Sequence, residues 1–100
     1  MATGNHQLQV EIGESEAEGC YSNLVIVTHS DSEFILDFAR ILPGKPKAKV
    51  HTRVIMNPKN CKLFLNALTD NIKKFEEKFG TIKTVPDDKL GLQMVPDIEQ

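Results

Sequence analysis

An α+β domain, a small antiparallel sheet of about four strands followed by one long helix, is the fold class this 100-residue sequence predicts. Two observations carry the prediction. Before residue 57 the apolar side chains alternate along short runs separated by turn residues, which is the pattern of strands. After it, Cys61, Leu65, Leu68, Ile72, Phe75 and Phe79 recur at spacings of four, three, four, three and four, one narrow apolar seam on one face of a helix.

Residues 1–6 carry no pattern and read as a disordered N-terminus. Residues 7–12 alternate, with Leu8, Val10 and Ile12 on one face and Gln7, Gln9 and Glu11 on the other, the signature of a half-buried strand. Residues 13–19 read as an acidic loop. Residues 21–29 form the second predicted strand. Leu24 and Ile26 oppose Val25 and Val27 there, and a strand apolar on both faces belongs in the centre of a sheet, covered on both sides. Ser30, Asp31 and Ser32 are turn chemistry.

In residues 33–42, Phe34, Leu36 and Phe38 share a face if the chain is extended. A short helix competes by periodicity, but the turn before and Pro43-Gly44 after favour a strand. Residues 49–56 give the fourth strand, with Val50, Thr52, Val54 and Met56 on one face. A hairpin through Gly44 and Lys45 would bring Asp37 opposite Arg53 as a cross-strand ion pair. The helix then runs over residues 58–79, with Asn57 as its cap, Pro58 at its first position and Gly80 at its end. Residues 7–80 make one domain. Residues 81–100 read as a flexible tail in which Leu90, Leu92 and Met94 can add an edge strand or serve as a docking segment.

Net charge is −2, yet its layout is uneven. Residues 1–39 hold seven acids and no Lys or Arg; residues 40–69 hold seven bases and no acid. Such separation creates surface fields that the overall charge hides. No apolar run approaches the roughly 18 residues of a membrane span, and the N-terminus lacks the basic and apolar stretches of a secretory signal. Cys20 and Cys61 have no motif spacing. These features predict a cytoplasmic protein with reduced thiols.

One helix covers one face of a small sheet. A second copy of the chain is the simplest cover for the other face, and two-fold self-association is the commonest oligomer. The seam from Cys61 to Phe79 serves either as the sheet-packing stripe of its own chain or as a dimer contact, widened by Leu63 and Phe64.

Catalytic chemistry is hard to find. His6, Cys20, His29, His51 and Cys61 lack ligand spacing, although two strands can bring His29 and His51 together. Cys61 lies in an apolar seam and Cys20 beside an acidic loop, both poor settings for a thiolate. No phosphate-cradling glycine loop occurs. The sequence therefore predicts no enzyme, cofactor or metal. The best functional lead is basic: Lys45, Lys47, Lys49 and Arg53 alternate along a loop and strand, and with Arg40 they form a ribbon that suits phosphates or an acidic protein surface. Its ordinary alternative is a solvated edge guarded by lysines. No aromatic residue interleaves with it for stacking on bases.

The stretch from Tyr21-Ser22-Asn23 through Ser32-Glu33-Phe34, Asp37-Phe38, Pro43-Gly44, Arg53 and Asn57-Pro58 to Phe79-Gly80 resembles the domain-of-unknown-function family 3467, small bacterial proteins, over residues 7–83. That resemblance implies no established activity; for partners it implies a link to transcription. The strand-then-helix order is also similar to that of bacterial export chaperones, a likeness of topology that carries no function by itself. The functional expectation is a homodimeric, non-enzymatic protein-binding accessory factor. A nucleic-acid-binding module using the basic ribbon is the alternative, and a chaperone-like holdase the third reading.

Overall fold

The structure, a computed structural model, describes residues 7–84. The elements run α1 (Glu14–Glu18), β1 (Leu24–His29), β2 (Phe34–Arg40), β3 (Lys49–Met56) and α2 (Pro58–Phe79). The class is α+β, with a three-stranded antiparallel sheet of order β1-β2-β3 and a C-terminal helix. The predicted disorder of residues 1–6 and the predicted tail strand around Leu90 to Met94 lie outside the described residues.

Local chemistry accounts for the frame. Ser30 accepts the Ser32 N–H at 3.2 Å and its own N–H reaches the Glu33 carbonyl, closing the β1–β2 turn. Between β2 and β3, the Lys45 N–H donates to the Leu42 carbonyl at 3.1 Å. Pro43 takes the second position of that turn and Gly44, at φ +80°, the third, the arrangement of a type II turn. For α2, the Asn57 side chain accepts the Asn60 N–H at 2.7 Å and Gly80 ends the helix at φ +102°. The Tyr21-Ser22-Asn23 start of β1 is also explained. Asn23 uses its side-chain amide as an extra rung, donating to the Ile41 carbonyl and accepting the Ile41 N–H. Ser22 donates to the Ala39 carbonyl at 2.9 Å.

Four expectations need correction. Residues 7–12 join no strand, so the sheet formed by the described residues has three strands; alternation shows that a segment suits a sheet, not that an edge in its own chain is within reach. Residues 14–18 form a one-turn helix rather than a loop, with the Ala17 N–H on the Gly13 carbonyl. The strand apolar on both faces, β1, lies at an edge, and β2 is central. Val50 does not share a face with Thr52: Phe38 pairs with Thr52 but Ala39 with Val50, so a bulge at His51 turns Val50 to the other side.

The core is small. Among the described residues the buried apolar side chains are Leu36 and Ala39, and no large side chain is fully buried. The register puts Val25 and Val27, then Leu36 and Phe38, then Thr52 and Val54 on one face. The first half of α2 borders that face. The second half carries Ile72, Phe75 and Phe79 exposed.

Candidate functional site

Two surfaces bring together the residues singled out by sequence. The first is an open groove of about 300 Å³ between the sheet and the start of α2. Val27, Phe34 and Leu36 form its floor, and Pro58, Cys61, Phe64, Leu65 and Leu68 its helical wall, with Lys62 on the rim. Half of the predicted seam thus lines the groove. Further along α2, the rings of Phe75 and Phe79 pack tilted at 45°, 4.9 Å between centroids, and continue the apolar stripe into solvent. Its own sheet leaves the stripe uncovered: Leu65 is 53 % and Phe79 67 % exposed. Cys61 is free and half-buried in the groove wall, and Cys20 is free and exposed.

The second surface is a shallow cleft lined by Gly19, Cys20, Tyr21, Arg40, Leu42, Lys49 and His51. The Asn23 and Ser22 bonds carry Tyr21 alongside the end of β2, where the Arg40 guanidinium lies over its ring at 5.5 Å, a cation–π contact. Sequence reading missed Tyr21 as a neighbour of the basic ribbon, because the two are remote in the chain and meet only through strand register. Arg40 pairs with Lys49 across the ladder. His51, at the bulge, shares a hydrogen bond with the Thr52 hydroxyl at 2.9 Å. His29 instead pairs with Phe34 at the opposite end of the sheet, so the two histidines do not meet.

Arg53 has a different employment. It pairs with Asp37, as the hairpin register predicts, and donates from Nε to Oδ1 at 2.7 Å and from Nη2 to Oδ2 at 2.9 Å. Those hydrogen bonds hold the Asp37 carboxyl below its ordinary value; burial opposes them, and the guanidinium charge adds to the lowering. Arg53 is raised in turn by the same bonds and charge. Of the predicted ribbon, Arg40 and Lys49 line the cleft, Lys45 and Lys47 are exposed beside it, and Arg53 is committed to the sheet.

Among the described residues no three His, Cys, Asp or Glu side chains are grouped to hold a metal ion, and no helix is long and apolar enough to cross a membrane. A family model described as "Protein of unknown function (DUF3467)" matches residues 1–84. No curated protein and no solved structure matches the chain.

Proposed function

The chain belongs to the DUF3467 family, whose description assigns no function, and from its geometry we propose a non-enzymatic, homodimeric protein-binding accessory factor of the cytoplasm. The observation that carries this reading is the apolar groove and the stripe that extends it along α2. Contiguous exposed apolar surface of this kind is what partner sites present, and a groove between a helix and a sheet suits an inserted apolar segment. Lys62 on the rim, with Lys59 one turn before it, favours a partner whose apolar anchors are flanked by acids. A transcription-linked protein is the partner class that the family resemblance suggests.

The test is capture of partners from nuclease-treated host extract in high salt, using the unmodified chain and the groove variants Leu65→Asp and Leu68→Asp. One abundant protein retained by the unmodified chain and lost by both variants supports the reading. Recovery of nothing beyond the chain itself overturns it.

The Tyr21–Arg40–Lys49 cleft favours nucleic acid as a second reading, since it adds an aromatic ring to the cationic residues. Binding to random duplex that weakens steeply with salt is its mark. The open groove also suits a holdase, for which suppression of a denatured client's aggregation is the measure.

A further inference from the structure

Residues 7–12 form neither helix nor strand, bear the most exposed apolar side chains described, and make no backbone hydrogen bond to another described residue. Leu8 is 89 % and Val10 85 % exposed. An alternating strand sequence held outside a sheet leaves both its backbone groups and its apolar face without the partners they suit. At the far side of the sheet, β3 presents an open edge among the described residues. It is exposed along almost its whole length, Val54 and Ile55 included. An open edge with apolar side chains is a template for one more strand.

We propose that residues 8–12 of each copy add as an antiparallel strand to the β3 edge of a second copy, in a reciprocal exchange that closes with two-fold symmetry. The inference rests on the self-association part of the function proposed above and names the elements that make it. Charge selects the edge and the direction. β1 carries no acid or base other than His29, whereas β3 carries Lys49 and Arg53 and follows Lys45 and Lys47. In the antiparallel sense, Val10 opposite Val54 places Leu8 by Met56, Ile12 by Thr52 and Glu11 by Arg53. That pairing continues one apolar face of the acceptor sheet, the face with Thr52, Val54 and Met56. It also brings Glu11 to the guanidinium that already bridges to Asp37 through Nε and Nη2 and keeps Nη1 for a third group. Beyond Ile12, the acids of α1, Glu14, Glu16 and Glu18, then run toward Lys49, Lys47 and Lys45. The acidic first block of one chain thus meets the basic second block of the other. Within a single chain, Gly19, Cys20 and Tyr21 pass beside Lys49 and His51 at one end of the sheet before the chain enters β1, yet residues 7–12 make no backbone hydrogen bond to that chain's own β3.

The experiment uses the full chain. Light scattering gives its mass at tens of micromolar, and hydrogen exchange reads the amides of residues 8–12. In a Cys20→Ser/Cys61→Ser background, Val10→Cys with Val54→Cys is oxidised and compared with Val10→Cys and Val27→Cys, which probes the β1 edge instead. The expected result is a dimeric mass, amides slowed at least about tenfold relative to an unprotected chain, and a covalent dimer from the Val10–Val54 pair alone. A dimer with unprotected amides and no Val10–Val54 crosslink overturns the strand exchange and leaves self-association standing. An intramolecular Val10–Val54 disulfide, or a crosslink through Val27, also overturns it. A monomeric mass overturns both the exchange and the homodimer.

Discussion

Asp37 is the one buried carboxylate described, 7 % exposed at the centre of β2, and a buried charge is tolerated there because Arg53 engages both its oxygens. The guanidinium itself stays largely in solvent, so the pair's main effect is to remove the penalty of an unpaired carboxylate rather than to add a large attraction. Because Asp37 is held below its ordinary value, the folded state binds its proton less readily than the unfolded chain does. Its contribution is therefore complete above the ordinary carboxylate range and is lost as pH falls through the lowered folded value. The urea midpoint of the unmodified chain should fall as pH drops from about 5 to about 3, and the Asp37→Asn variant should show a shallower fall over that range. Equal slopes in the two proteins would mean that the pair does not couple folding to pH.

At the scale of elements, the seam and caps of α2 act locally, and the helix runs from Pro58 to Phe79 as the spacing predicts. Asn57→Ala removes the side-chain acceptor at 2.7 Å from the Asn60 N–H and should cost about 1 kcal/mol, read as a lower denaturant midpoint at unchanged slope. A changed slope would show that the cap shapes more than the helix end. β3 and the Asp37–Arg53 register were equally legible, since turn chemistry and alternation fix a hairpin within one stretch of chain. Strand order and the His51 bulge were not, because they depend on how remote segments meet. The same holds for the cleft, where Tyr21 reaches Arg40 only after Asn23 extends the ladder to Ile41. Residues 7–12 show the limit most sharply. Their alternation suits a strand, yet they join none among the described residues, because whether an edge is within reach lies outside what a single sequence pattern can specify.

At the scale of the whole molecule, the amount of buried surface decides how the fold persists. Ordering the backbone costs about 1–2 kcal/mol per residue, and burial of apolar surface does most to offset it. Among the described residues that burial reduces to Leu36, Ala39 and half-buried neighbours, while Leu8, Val10, Val27, Ile55 and the α2 stripe stay in water. A chain with so small an internal core gains stability when those surfaces meet a partner, and a second copy is present in any pure solution. Association of that kind makes the unfolding temperature depend on protein concentration by mass action. Diluting the protein about a hundredfold should lower its Tm by about 5–8 °C, taking the dimer as the cooperative unit. Val10→Pro, which removes a backbone donor from the segment assigned to the exchange, should lower the Tm and flatten its dependence on concentration. Calorimetry across that dilution series decides the matter: a Tm that does not move would show that the single chain is stable on its own despite its open faces. A slope that survives Val10→Pro would move the association from the strand edge to the groove and stripe of α2.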